Sequence, residues 1–212
     1  ETAAPPGLGG LSATDAVEVC ERLAAYGYDA LVPVNGSTFW DASIVRGAYP
    51  ARAWRDDRFR EGYAEAFGGP LRARLVALAN RAESYVYDFE PAWNAGLCRA
   101  VRERVDVPVL AEGGIRERAE MDRLLGRDCD LVGLGRPFYA EPRLPARLLR
   151  GSPDTRAVCE SCNNCAVPQA AGAPGVCRTP AVLERAGRLR KAGAYEDPAG
   201  DPEPAPDVEA EE

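Results

Sequence analysis

Four cysteines in the last third of the chain are the residues whose type and spacing most clearly indicate chemistry. Cys159, Cys162 and Cys165 follow one another at three-residue steps, and Cys177 comes after a longer gap. Such steps let several thiols of one tight loop point at a common centre, and a more distant fourth thiol closes the cage. A ligand set made only of thiols is typical of an iron–sulfur cluster or a structural zinc ion. The spacing itself leaves both metals open.

Disulfide bonds and inert thiols are the alternatives for these cysteines. The chain holds seven cysteines, an odd number, and its first ten residues lack the basic-then-apolar pattern of a secretory signal. Because structural disulfides belong mainly to secreted proteins, a metal is the favoured interpretation. Thiols left over from an ancestral site are the other alternative. Cys20, Cys98 and Cys129 fall within apolar helix or strand patterns and are predicted to be core residues.

Two glycine turns indicate a second kind of site. Gly113-Gly114 and Gly135-Arg136 directly follow short apolar segments. Glycine lets the backbone approach a phosphate closely, and a helix beginning there presents unpaired N–H groups and the positive end of its dipole. Two such turns on neighbouring strands, one carrying an arginine, predict a phosphate site. The alternative is that these glycines only allow tight turns.

The elements that would position these residues alternate between strands and helices. Continuously apolar segments predict buried parallel strands at Asp29–Val34, which ends in Asn35-Gly36, at Val107–Ala111 and at Cys129–Leu134. Helical spacing predicts a helix from a capping box at Ser12 and Asp15 to Tyr26, and further helices at Pro91–Val105, Glu117–Leu125 and Pro142–Arg150. Such alternation is typical of right-handed βαβ units and a parallel sheet.

Residues 37–88 are the least regular part of the chain. Arg55–Phe67 and Leu71–Glu83 are predicted to be helical, on weaker patterns. Trp40, Tyr49 and Trp54 are candidates for shaping a substrate pocket, although loop packing is the commoner role of such aromatic residues.

Three βαβ units do not make a closed structure. A (β/α)₈ barrel takes about 250 residues and eight strands, and three strands alone leave open edges. The fold class is therefore predicted to be α/β, the C-terminal portion of a barrel. We expect the chain to be a piece of a longer protein whose missing part precedes Glu1.

Charge and composition exclude several classes of function. The 212 residues carry a net charge of −7, but residues 196–212 hold eight acids and no base, which leaves 25 acids against 26 bases elsewhere. We therefore predict a disordered acidic tail and no nucleic-acid partner. No apolar run reaches the ~20 residues of a membrane span. The absence of histidine excludes Ser-His-Asp triads and histidine-ligated metals within this chain. A cytoplasmic location is expected from the absent targeting signals and the thiols.

Taken in order, these motifs resemble a known family. The segment VPVLAEGGIRERAEMDRLLGRDCDLVGLGRPFYAEPRLPARLLRG, followed by CESCNNC, is similar to the C-terminal half of the old yellow enzyme family of FMN-dependent NADH:flavin oxidoreductases. The cysteine series resembles the branch that contains 2,4-dienoyl-CoA reductase and trimethylamine dehydrogenase. The similarity is close over Leu11–Val34 and Glu90–Arg178 and poor between them.

The resemblance implies a cofactor for each motif. The glycine turns and Arg136 would cradle the phosphate of FMN, Asn35 and Gly36 would border the flavin, and the four cysteines would hold a 4Fe–4S cluster. The three strands would be the sixth, seventh and eighth of a (β/α)₈ TIM barrel. NAD(P)H would be the reductant, and an activated alkene or similar acceptor the small-molecule substrate. The family's catalytic acid comes from earlier strands, so none is assigned here.

The resemblance also gives a domain plan. Residues 1–150 would be barrel, 151–180 the metal-binding segment, 181–195 a helical extension and 196–212 the tail. The isolated chain is expected to be inactive unless a separate N-terminal half-barrel chain completes it. The alternative is a non-catalytic remnant whose four cysteines hold structural zinc. Another phosphate-binding barrel would account for the glycines but not for the cysteines.

Overall fold

The computed structural model describes residues 11–36 and 43–196, so the predicted tail from residue 197 onward lies outside it. The described chain is mostly helical with two short parallel strands, which is compatible with part of an α/β fold. The helices are α1 (Ala13–Ala25), α2 (Ala51–Trp54), α3 (Arg60–Ala66), α4 (Pro70–Val86), α5 (Ala95–Arg102), α6 (Arg118–Leu124), α7 (Arg136–Ala140), α8 (Leu144–Arg150) and α9 (Pro180–Lys191). The strands are β1 (Leu110–Ala111) and β2 (Leu131–Val132), and 3₁₀ helices cover Asp57–Phe59 and Val167–Ala171.

The capping box predicted for the first helix is confirmed. The Ser12 hydroxyl accepts a hydrogen bond from the Asp15 N–H at 3.1 Å, and the Asp15 carboxylate accepts one from the Ser12 N–H at 2.9 Å. Both groups satisfy backbone donors that the first turn would otherwise leave unpaired. The helix then presents Val17, Cys20 and Leu23 to the core.

The sheet has the predicted parallel direction, but its strands are much shorter than expected. Leu110 and Leu131 are partners in the β1–β2 pair. The predicted strand Asp29–Val34 is reduced to one bridging residue, Leu31, opposite Val109. The apolar segments therefore lie side by side in the order expected of a parallel sheet, while regular pairing covers only their centres. Outside these centres, other groups replace the regular strand-to-strand hydrogen bonds. The Val109 N–H, for example, donates to the Asp130 carboxylate at 3.0 Å.

Helices cover one face of this sheet. The core contains Leu31, Val109 and Ala111, together with Leu124 and Leu144 from the helices, all with 6% or less of their surface exposed. Cys98 and Cys129 are buried in it and Cys20 packs against it, so the prediction that these three cysteines are core residues is confirmed. Burial raises the pKa of the Cys98 thiol to about 12, which keeps it neutral and unreactive.

Residues 43–90 form a helical excursion rather than an irregular loop. The helix predicted over Arg55–Phe67 is α-helical only as α3, because its first residues form a 3₁₀ turn capped by Asp56. The predicted helix Leu71–Glu83 is present as α4, extended at both ends. Trp54 packs on Tyr63 with ring centroids 4.9 Å apart, so Trp54 serves packing here. Trp40 lies outside the described residues.

Two predicted helices need correction. The helix expected over Pro91–Val105 begins only at Ala95, because Ala92 adopts a left-handed conformation (φ 46°) and residues 91–94 form turns. The extension predicted over residues 181–195 is helical from Pro180 to Lys191 and stops before Gly193, whose φ is 71°. The short helix α7 was not predicted. Within the described ranges, no helix is long and apolar enough to cross a membrane.

Candidate functional site

The carboxyl ends of the aligned segments open into one cavity of about 250 Å³. Parallel strands bring their carboxyl ends to the same edge of a sheet, so the loops that follow them meet there. The cavity is lined by all four residues of the two predicted turns, Gly113, Gly114, Gly135 and Arg136. Val34 also lines it, whereas Asn35 and Gly36 are not among its lining residues. The structure thus brings the two glycine turns together in one cavity, while Asn35 and Gly36 do not line it.

Asn94 ties two of these strand ends together, and sequence patterns gave no sign of it. Its side chain is 1% exposed. The Asn94 Oδ1 accepts a hydrogen bond from the Asn35 N–H at 2.8 Å, and the Asn94 Nδ2 donates to the Glu112 carbonyl at 2.9 Å. One amide therefore satisfies two backbone groups from separate segments and fixes the distance between them. Its partners lie far from it along the chain, which is why no local pattern reveals it.

Gly113 and Gly114 are required by packing inside the protein. Both have positive φ (107° and 72°), and a Cβ on Gly114 would lie 2.1 Å from the Glu90 carbonyl oxygen. A Cβ on Gly113 would lie 2.7 Å from the Trp93 ring. The tight-turn interpretation of this pair is therefore sufficient to explain why both are glycine. Their position on the cavity wall still exposes main chain to an occupant.

Gly135 differs from that pair. Its φ is −94°, and a Cβ placed on it would meet no atom within 4 Å. No contact among the described residues demands glycine here, and the open space lies at the cavity. A backbone kept bare beside an open space is what close approach of a ligand requires.

Arg136 stands between the cavity and the cysteine loop. It lines the glycine-bordered cavity and also the smaller cavity around the four thiols. Its guanidinium donates to the Asn163 side chain, and no carboxylate of the described residues pairs with it. Burial lowers the pKa of Arg136, while the nearby sulfurs of Cys159, Cys165 and Cys162 act in the opposite direction.

Arg116 is a second cationic residue of the cavity that sequence reasoning missed. It is 7% exposed, and its guanidinium stacks on the Phe89 ring with the Cζ atom 3.5 Å from the ring centroid. One terminal nitrogen donates to the Cys159 carbonyl at 2.9 Å, while the Nε has no hydrogen-bond partner among the described residues. Its burial lowers the pKa of Arg116. A buried guanidinium with a free donor favours an anion nearby.

The four predicted metal ligands, Cys159, Cys162, Cys165 and Cys177, line one small cavity. It encloses about 10 Å³, room for roughly one water-sized particle. Burial raises the pKa of Cys165 to about 11 even though Arg136 lowers it, and burial also raises the pKa of Cys177. Cys162 Sγ lies 3.0 Å from the Thr179 hydroxyl. Among the described residues, no three acidic or thiol side chains are already grouped as metal ligands.

A buried carboxylate holds the start of the cysteine loop. Glu141 is 1% exposed and pairs with Arg147 and with the Tyr195 hydroxyl, the latter at 2.8 Å. Its other oxygen accepts a hydrogen bond from the Val158 N–H, directly before Cys159. Further along, Asn163 is held in a left-handed conformation (φ 57°) and donates to the Val45 carbonyl at 3.0 Å. The loop is anchored at both places, so the thiols are confined to one region.

The two predicted cofactor sites fit their groups to different degrees. The cavity offers open space at Gly135, exposed main chain and two arginines, which suits a phosphate monoester. The four thiols are the donor set of a thiophilic metal and line one cavity, but among the described residues they are not already grouped as metal ligands. Metal sites of this kind need not be preformed, since thiolate loops fold around the ion they bind.

Parts of the chain are similar to two curated proteins whose names refer to NADH oxidation or to an NADH-dependent flavin oxidoreductase. A segment of 87 residues is 31% identical to an NADH-dependent flavin oxidoreductase from Talaromyces variabilis, covering 39% of this chain and 21% of that protein. A segment of 76 residues is 30% identical to an NADH oxidase from Thermoanaerobacter brockii, covering 35% of this chain and 12% of that protein. The matches thus span a small part of each relative's length. No protein-family model and no solved structure matches the chain.

Proposed function

We propose that this chain supplies the phosphate-binding side of the flavin site in an FMN-dependent NAD(P)H oxidoreductase of the old yellow enzyme type. The observation that carries the proposal is the meeting of Gly113, Gly114, Gly135 and Arg136 in one cavity at the carboxyl ends of parallel segments. The names of the two partly similar proteins support the flavin and NADH parts of it.

The residues of this chain would bind and orient the cofactor rather than perform proton transfer. The main chain at Gly135 would approach the phosphate, and the guanidinium of Arg136 would neutralise its charge. Arg116, which follows the Gly113-Gly114 turn, would add a second positive charge. When bound, FMN supplies hydride transfer from NAD(P)H to an activated alkene or similar acceptor. No residue of the chain is assigned as the catalytic acid, so catalysis would require a separate N-terminal half-barrel.

The test is a titration of the full 212-residue chain with FMN, in which quenching of the flavin fluorescence reports binding. Riboflavin, which lacks the phosphate, is the matched control ligand. We expect FMN to bind at least about tenfold more tightly, the value of one charge-assisted hydrogen bond. The variant Gly135→Ala should lose about tenfold in FMN affinity, because its methyl takes the open space beside the phosphate.

The control for that variant is Gly187→Ala, a helical position where a Cβ also meets no atom within 4 Å. It should bind FMN as the wild type does and melt at the same temperature or slightly higher. Equal affinity for FMN and riboflavin, or no effect of Gly135→Ala, would contradict the proposed phosphate site.

A second candidate function is a metal-binding module without flavin chemistry. The observation in its favour is that four cysteines, a ligand set that also suits structural zinc, line one small cavity. Anaerobic purification followed by iron, zinc and flavin analysis distinguishes the two. About four irons per chain with a broad band near 400 nm would support the 4Fe–4S proposal. One zinc and no flavin binding would favour the module.

A further inference from the structure

We propose that Arg136 is a counter-ion shared by two anionic sites, the phosphate cavity on one side and the thiolate site of the four cysteines on the other. The inference rests on the proposed phosphate site and extends it. It gives one residue a role in metal binding that the glycine-arginine motif does not suggest.

The first support is position. Arg136 and Ser161 are the only side chains that line both cavities within the residues described. The other cationic residues are divided between the sites: Arg116 lines only the glycine-bordered cavity, and Arg178 lines only the thiol cavity. Arg136 is therefore the arginine that faces both occupants.

The second support is the lack of a competing anion. Arg99, Arg102, Arg118 and Arg147 each pair with a carboxylate. Arg136 has no such partner within the described part of the chain, and its recorded hydrogen-bond acceptor is the neutral Asn163 side chain. Arg136 is partly buried, and a partly buried guanidinium without a carboxylate partner is stabilised by groups of opposite charge nearby. The two candidate occupants of the adjoining cavities provide that charge.

The third support is the charge of the thiolate site when loaded. Four thiolates around Zn²⁺ leave a net charge of −2, and a phosphate monoester is also close to −2 at neutral pH. Two such groups on either side of one wall repel each other unless a cation lies between them. Arg136 occupies that place, and Asn163 fixes its guanidinium to the cysteine loop.

The test measures two affinities separately on the reduced, full-length chain. Inorganic phosphate is titrated by calorimetry in the absence of metal, and Zn²⁺ is titrated against a chromophoric chelator in the absence of phosphate. Arg136→Gln should weaken both affinities by about tenfold, the loss of a charge-assisted hydrogen bond in each site. Arg136→Lys keeps the charge and should hold both within about threefold of the wild type.

Matched variants show that the double effect belongs to Arg136. Arg178→Gln removes the same charge from the thiol cavity alone and should leave phosphate affinity unchanged. Gly135→Ala should weaken phosphate binding and leave zinc affinity unchanged. Circular dichroism shows whether each variant is folded. If Arg136→Gln does not fold, Arg136→Lys is the deciding variant. A loss of phosphate or zinc affinity in Arg136→Lys would contradict the inference.

The inference is overturned if Arg136→Gln weakens only one of the two affinities, if it weakens neither, or if the wild type binds no zinc. Its failure is distinguishable from that of the proposed function. A chain that binds phosphate and zinc through Arg136 but does not bind FMN refutes the flavin proposal alone. A chain that binds FMN while Arg136→Gln leaves zinc affinity unchanged refutes the shared counter-ion alone.

Discussion

At the scale of single residues, Asp128 shows how the chain fixes a buried charge away from its sites. The side chain has no exposed surface and accepts hydrogen bonds from Arg99 and Arg127, the latter at 2.8 Å. Burial alone would raise the pKa of Asp128, but the two arginines outweigh it and hold the pKa below its usual value of 3.8. A carboxyl whose folded pKa is depressed stabilises the fold above its unfolded pKa and loses that contribution as the pH falls.

We therefore expect Asp128→Asn to lower the free energy of unfolding at pH 7 by about 2 kcal/mol, since both arginines lose a charged partner. The difference from the wild type should shrink as the pH falls below 3.8, where the wild-type carboxyl also becomes protonated. Urea unfolding at pH 7 and pH 3 measures both values. Asp122→Asn is the control, because the Asp122 side chain is 48% exposed where it pairs with Arg118, and its loss should cost less than about 0.5 kcal/mol. Equal losses for the two variants would show that burial gives Asp128 no special weight.

At the scale of elements, the alignment of the strand ends depends on Asn94. Replacing Asn94 with Ala removes its hydrogen bonds to the Asn35 N–H and to the Glu112 carbonyl. A typical hydrogen bond contributes about 0.5–1.5 kcal/mol, so we expect a loss of stability of about 1–3 kcal/mol. Amide hydrogen exchange at Asn35 should accelerate together with the drop in stability. Asn80→Ala, which removes only the acceptor of the Trp54 ring N–H, should leave the exchange at Asn35 unchanged. Unaltered exchange at Asn35 in Asn94→Ala would mean that other contacts align these segments.

The same scale explains what the sequence could predict. The helix α1 was predictable because its capping box and apolar spacing are local. Local patterns also predicted α6 and α8, although neither helix has a side-chain cap. The glycine turns were predictable because each follows an apolar segment directly. Asn94 and Arg116 were not, since their partners lie 59 and 43 positions away along the chain. The start of α5 also depends on a distant contact, the close approach of the Glu90 carbonyl to Gly114.

At the scale of the whole molecule, the sheet has one covered face and one bare face. Successive residues of a strand point to opposite sides, so the register places Val32, Leu110 and Leu131 in one row on the face opposite the core. Val32 and Leu131 are 48% and 49% exposed. Contiguous apolar surface of this kind marks a place where further structure packs. The proposed N-terminal half of a barrel would face this row.

We expect the isolated chain to bind the dye ANS through this row, because ANS reports exposed apolar surface. The double variant Val32→Thr, Leu131→Thr places a β-branched residue, which suits a strand, at both positions. It should lower the ANS fluorescence by about half or more, without loss of the helical circular dichroism signal. The control is Val19→Thr, Leu183→Thr, which removes the same two residue types from α1 and α9, where they are 40% and 45% exposed. These two sites belong to separate helices, so the control should change the fluorescence little. If both double variants lower it equally, the apolar surface is dispersed over the molecule, and the sheet face has no special claim to be the place where the remaining strands pack.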